Sequence, residues 1–239
     1  WFLFCSLKIN WRKSVQTIAL LLLTAGILNM GHYARQIELM NMLTGPIGEV
    51  QAAVNKVYTP QVVISNIVRN IGIHIPTPID PLNALMEKGI YALHALIKID
   101  MTDSRYAYGE HAFHVGEVNF HEDYAGNLLH IIAIFAAVVL LLRSKKESHS
   151  SETITLKLYF GLVGLAFLVF CTVLKWQPWH SRLMFPLFIL IVPAVGVVFS
   201  RIKNPKIPVV IATVFLLCAM PWVFNNKSRS FFKRRNILN

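Results

Sequence analysis

A chain of 239 residues with 55% hydrophobic residues, only 15% charged ones and a mean hydropathy of +0.52 is not an ordinary soluble domain. Soluble domains carry about a quarter charged residues. The apolar residues gather into long runs, which points to a membrane and excludes disorder, collagen-like repeats and a disulfide scaffold.

In chain order, Trp1–Leu7 reads as the end of a helix already under way. The chain is therefore expected to be a piece of a longer polytopic protein, and no signal peptide can be sought in it. Five segments have the length and character of spans: Val15–Tyr33, Asn127–Leu142, Leu156–Lys175, Leu183–Ser200 and Ile207–Phe224. The second is the shortest and is expected to recruit Tyr124–Asn127. The fold class is all-α, a polytopic transmembrane helix bundle of about five spans plus a partial one, with an extracytoplasmic segment of membrane-surface helices. Four regions follow: 1–33, the partial span, a cytoplasmic loop and the first full span; 34–126, the extracytoplasmic segment; 127–224, a four-span membrane domain; and 225–239, a basic tail leading to a further C-terminal part.

Lysine and arginine in short loops set orientation. Lys8, Arg12 and Lys13, then Arg143, Lys145 and Lys146, then Arg201, Lys203 and Lys206 all fall on one side, the cytoplasmic one. The tail, with Lys227, Arg229, Lys233, Arg234 and Arg235, falls on the other side, against the rule. The net charge of +11 is uneven: residues 34–126 hold ten acids and six cations, a net −4, and the remainder 17 cations and two acids, +15. Because the basic residues flank spans, anionic lipid headgroups are the expected partner, and nucleic acid is not. The three cysteines, Cys5, Cys171 and Cys218, lie in or beside apolar runs and form no metal or disulfide framework.

Ninety-three residues between two spans should have their own structure. Ala34–Tyr58 is amphipathic and broken at Gly45-Pro46. Pro60–Ile71 carries Ile64, Ile67, Val68 and Ile71 at helical spacing, the stripe expected to be its apolar face. Asp80-Pro81 reads as a helix start with Asp as cap, followed by a stripe of Leu82, Leu85, Met86, Gly89, Ile90, Leu93, Leu96 and Ile97; Ile73–Pro81 is a linker. These helices are expected along the membrane surface or over the spans, as a structural cap or as a lid over a site.

Residues 105–127 (RYAYGEHAFHVGEVNFHEDYAGN) hold the densest set of titratable groups: Glu110, His111, His114, Glu117, His121, Glu122 and Asp123. Three chemistries fit such residues. The histidines and carboxylates suit a divalent metal, although the spacing matches no established motif. A carboxylate and a histidine suit acid–base work. The imidazoles also suit hydrogen bonds to a phosphate or sugar hydroxyl. The bland alternative is a solvated loop at headgroup level. No metal or other cofactor is therefore assigned. Asn127 and His130 stand at the mouth of the second span, where a lone histidine is more often a packing residue.

The turn Lys175–Pro186 is the second candidate. Trp176 and Trp179 read as interfacial anchors. Arg182 enters an apolar helix beside His180 and Ser181, and suits a lipid phosphate or a pocket. Arg182 and His121–Asp123 are expected at one depth, as two walls of one pocket, with Arg182 on a phosphate and the histidine and carboxylates either on sugar or acceptor hydroxyls or fixing Arg182 by a salt bridge.

HEDYAGNLLH (121–130), WQPWHSRLMFPLF (176–188) and MPWVFNNKSRS (220–230) resemble the C-terminal half of bacterial integral-membrane glycosyltransferases of the GT-C class, family 39-like, relatives of protein mannosyltransferases and aminoarabinose transferases. The resemblance covers about residues 115–230. It implies an enzyme of the bacterial inner membrane that takes a sugar from a polyprenyl-phosphate donor at the outer face. The family's catalytic acids lie in an early outer loop, so no residue here is assigned as catalytic. His121, Glu122, Asp123, Asn127, His180 and Arg182 are carried as candidate substrate-binding residues. The alternatives are a transporter or flippase for a lipid-linked substrate and a non-catalytic membrane scaffold. A carrier would place charges or broken helices at mid-membrane; the later spans have no charge at their centres, and only Pro193 lies well inside one.

Overall fold

The computed structural model describes residues 11–42, 47–109, 111–143 and 150–227. The Trp1–Leu7 helix end, the Gly45-Pro46 break, Glu110, Lys145, Lys146 and the tail beyond Lys227 lie outside the described residues, as does the side chain of Glu122. The chain divides into two compact units, residues 1–54 and 55–239. The second unit thus runs across the expected boundary at 126.

In the first unit, α1 spans Trp11–Met40 and α2 spans Ile47–Ala53. Helix α1 continues past Tyr33 and stops where Asn41 turns left-handed at φ 51°. Asparagine tolerates that conformation, and its N–H donates to Ile37 O at 2.9 Å, closing the helix.

The second unit holds α3 (Pro60–Gly72), α4 (Asp80–Leu96), a 3₁₀ turn (Glu122–Tyr124), α5 (Leu128–Arg143), α6 (Ser151–Val173), α7 (His180–Ser200) and α8 (Lys206–Phe224). No strand occurs among the described residues; Ala107 and Trp176 form an isolated bridge. Three helices, α6, α7 and α8, are long and apolar enough to cross a membrane, and α5 is apolar but has only 16 residues. These helices make the chain a membrane protein in coarse terms.

Helix α7 is the centre of the bundle. It buries His180, Ser181, Met184, Phe188, Ile191, Ala194, Val195, Val198 and Phe199, a three-and-four spacing that makes one continuous face. Small residues Ala133 and Ala137 of α5 pack with that face, together with Leu141 and, from α6, Leu156. Small side chains let helix backbones approach where lipid gives no hydrophobic driving force. Pro193 removes one helical N–H inside α7, leaving Ile189 O without its usual donor; next to it, the Tyr159 hydroxyl donates to Leu190 O at 2.6 Å. Outward-facing side chains such as Leu165, Phe185, Ile189 and Val209 are all more than half exposed, which suits hydrocarbon rather than water.

The four bundle helices alternate in direction. Residues 55–127 cover one end, where Asn127 N bonds His74 O (3.1 Å), Asn55 N bonds Val173 O (2.8 Å), Trp176 N bonds Tyr106 O (3.1 Å) and Lys227 N bonds Phe120 O (3.2 Å). The other end carries Arg143, Arg201, Lys203 and Lys206, with Arg201 held to Glu152 at 2.9 Å.

One expectation for the covering segment is corrected. Asp80 does not cap α4: the capping position is Ile79, without a side-chain bond, and Asp80 lies in the first turn. Residues 73–79 do link α3 to α4, and the link is tightly held. His74 and Thr77 are buried, and Asn83 holds Thr77 by accepting from its N–H and hydroxyl (2.8 and 2.7 Å) and donating to its carbonyl (2.8 Å). Side-chain hydrogen bonds to nearby backbone supply what a solvated linker would take from water.

Candidate functional site

The covered end of the bundle is built on a helix whose buried face is polar. Helix α3 buries Val62, Ser65, Asn66, Arg69, Asn70 and Gly72, while Ile64 and Ile71 are exposed at 43% and 37%. The expected apolar stripe is thus real in its spacing and faces outward. The cause is the neighbour. Helix α6 ends against α3, and its last carbonyls need donors. Asn66 donates to Cys171 O (2.9 Å) and Leu174 O (3.3 Å), and Asn55 donates to Thr172 O (2.7 Å) and Leu174 O (3.0 Å).

Arg69 extends this network. It is fully buried, donating to Met101 O at 2.8 Å and to Asn66 Oδ1 at 2.7 Å, with the guanidinium 5.0 Å from the Trp176 ring centre. Burial lowers its pKa to about 10, so it stays charged at neutral pH. None of the ion pairs among the described residues involves Arg69; carbonyl dipoles and the indole face stabilise the charge instead. Trp176 is 1% exposed, so it is a core residue rather than the expected interfacial anchor.

Gly72 is required where α3 meets this core. A Cβ there would lie 2.5 Å from Phe113 Cζ and 3.1 Å from Ile90 Cδ1. Three histidines join the elements around it. His94 Nδ1 donates to Ile90 O (2.7 Å) while Nε2 accepts from Ser65 (2.9 Å), tying α4 to α3. His180 Nδ1 donates to Asn70 Oδ1 at 2.7 Å, tying α7 to α3. His74 Nδ1 lies 3.1 Å from Asn127 Nδ2, and its ring meets Phe188 edge to face at 4.9 Å. Burial foremost, then neighbouring His130, lowers the His74 pKa to about 4. The Nε2 atoms of His74 and His180 are both buried without a partner.

The expected site residues separate into two groups. Asn127 and His180 belong to the buried network just described. His121, Asp123 and Arg182 meet at the surface. Arg182 Nη1 lies 3.1 Å from Asp123 Oδ1, with the two side chains 57% and 24% exposed. A salt bridge is thus present, exposed on the arginine side, while Asp123 Oδ1 is itself buried and makes no hydrogen bond. His121 Nδ1 accepts the Asp123 N–H at 3.2 Å, capping the 3₁₀ turn. Asp123 Oδ2 lies 3.7 Å from the same nitrogen. The Ser181 hydroxyl donates to Ala125 O, fixing the turn against the start of α7.

The histidines of residues 105–127 do not converge. His111 packs on Trp179 with ring centres 5.3 Å apart, and His114 lies 3.3 Å from Glu87. Among the described residues no three of His, Cys, Asp and Glu form a metal-ligand group. His130 packs between Phe188 (5.9 Å) and Phe215 (4.9 Å), within the helix bundle.

Sequence reasoning passed over Glu87. Its Oε2 accepts from Val115 N at 2.8 Å, and it lines a cavity of about 570 Å³ with His114, Glu117, Tyr124, Trp176 and Lys227. The only signal was a charged residue inside the α4 stripe, between Met86 and Gly89. Neither a protein-family model, a curated protein nor a solved structure matches the chain.

Proposed function

We propose that this chain is part of a membrane glycosyltransferase that moves a sugar from a polyprenyl-phosphate-linked donor to an acceptor at the outer face of a bacterial inner membrane. In this reading α1 and α5 also cross the bilayer, which with α6, α7 and α8 gives about five spans, and residues 55–127 cover the outer end of α5–α8. Helix α5 is about 24 Å long at 1.5 Å per residue, so the bilayer thins there or the preceding turn enters it.

The observation that carries the reading is the Arg182–Asp123 pair at the first turn of α7. One side of the guanidinium is held, and no other acidic group pairs with Arg182 among the described residues. An exposed arginine in that state, at headgroup depth, suits bidentate binding of a donor phosphate. Charge developing on the leaving phosphate would be stabilised electrostatically. The stretches 121–130, 176–188 and 220–230 support the same reading through the resemblance they carry. The catalytic base is not assigned to any residue of this chain.

The test is transfer by the full-length protein in proteoliposomes, with polyprenyl-phosphate-linked hexose, pentose and aminopentose donors. Release of polyprenyl phosphate that falls at least about tenfold in Arg182→Ala, equivalent to about 1.4 kcal/mol, and recovers in part in Arg182→Lys is expected. No release from any donor by the wild-type protein would reject the enzyme reading.

A further inference from the structure

The cavity beside Glu87 lies apart from Arg182, yet it shares elements with it. Tyr124 of its wall belongs to the 3₁₀ turn that holds Asp123, and Pro178 to the turn that leads into α7. At about 570 Å³ it has the size of a small-molecule site.

Its lining selects a ligand. Glu87 and Glu117 face one ammonium, that of Lys227, so an anion such as phosphate is disfavoured. Glu87 is fixed by Val115 N and lies 3.3 Å from His114, but a carboxylate has about four acceptor positions and keeps capacity for more donors. Glu117 has no hydrogen-bond or ion-pair partner among the described residues. Trp176, also in the wall, contributes apolar surface to it. Tyr124, 45% exposed, offers an aromatic face.

Free acceptors beside an aromatic ring match a neutral molecule rich in hydroxyl donors whose ring carries C–H faces. We propose that this cavity binds a neutral carbohydrate unit, with Glu87 and Glu117 accepting from its hydroxyls and Tyr124 stacking on its ring. This deepens the transferase reading and rests on it for biological meaning. It divides the work: sugar hydroxyls in the cavity, phosphate at Arg182.

The experiment is saturation-transfer NMR on the purified full-length protein in detergent, with methyl glycosides of common hexoses and pentoses, and inorganic phosphate as competitor. At least one glycoside should give a saturable signal. Glu117→Gln and Tyr124→Ala should each weaken it about tenfold, the loss of one or two hydrogen bonds or a stacking face, without changing the melting temperature. Lys203→Ala, at the other end of the bundle, should leave it unchanged, and phosphate should not compete. The inference is overturned if no glycoside gives a saturable signal, if both cavity variants bind as wild type does, or if phosphate displaces the glycoside. Glycoside binding in a protein with no transfer activity upholds the cavity and removes the enzyme reading. Transfer that needs Arg182 but is indifferent to both cavity variants does the reverse.

Discussion

Arg182 and Asp123 meet at 3.1 Å across the junction between the 3₁₀ turn and the first turn of α7. With Arg182 57% exposed, water screens the attraction, and the pair is worth about 0.2–1 kcal/mol to stability. A double-mutant cycle of Arg182→Ala and Asp123→Ala, read by thermal unfolding in detergent, should give a coupling energy in that range. A coupling of about 3–5 kcal/mol would mean that the pair is buried in the membrane-inserted protein and serves the fold first.

Arg69 should behave in the opposite way. Truncation to Ala leaves Met101 O and Asn66 Oδ1 buried without their donor. At about 1–3 kcal/mol for each of the two orphaned groups, a loss of about 2–6 kcal/mol is expected. Ile64→Ser on the outward face of α3 should cost far less in detergent micelles. Comparable losses from the two variants would show that α3 is turned the wrong way round.

His74 makes stability depend on pH. Its folded-state pKa of about 4 lies below the ordinary 6.5, so the unfolded chain binds a proton more readily. Its contribution is therefore fully present above pH 6.5 and is lost as pH falls towards 4. The shift corresponds to about 3 kcal/mol at its limit. Melting temperature should fall between pH 6.5 and 4.5 in the wild-type protein, and the fall should be shallower in His74→Gln. An unchanged slope in that variant would assign the acid sensitivity to other groups.

Topology can be read by single-cysteine labelling in a background without native cysteines. Asn83 and Gln177 are natural choices by sequence position, but both are buried and would report poorly. Lys88→Cys and Glu117→Cys at the covered end, and Asn204→Cys at the basic end, are exposed positions. An impermeant reagent applied outside should label the first two and spare the third. The reverse pattern would invert the orientation and move Arg182 to the cytoplasmic face.

The apolar runs of α6, α7 and α8 were legible because crossing hydrocarbon demands an unbroken stretch that no other structure needs. That Arg182 and Asp123 share one end of the bundle was legible from alternation, since both stand at the entrance to apolar helices; their direct contact was only one of two arrangements that the sequence allowed. The facing of α3 was not. Periodicity locates the stripe at Ile64, Ile67, Val68 and Ile71 but cannot say what lies on either side of it. Ser65, Asn66, Arg69 and Asn70 repeat with the same period, and that second stripe was the available signal. It turns inward because helix-end carbonyls await it there. Trp176 was misread for a related reason: a tryptophan at a helix end anchors at an interface only if no guanidinium and phenyl ring enclose it, as Arg69 and Phe113 do here.

The asparagine side chains that finish α6 also impose an order of assembly. Asn55 and Asn66 leave the ribosome more than a hundred residues before the carbonyls they serve. Until α6 has been inserted, Asn55 and Asn66 lack the carbonyls they serve, while Ile64 and Ile71 lie on a face of α3 that α6 never covers. Severed ahead of α5 and expressed by itself, the covering segment would keep its internal ties, Arg69 to Met101 and His94 to Ser65, but would present Asn55 and Asn66 without the carbonyls they serve.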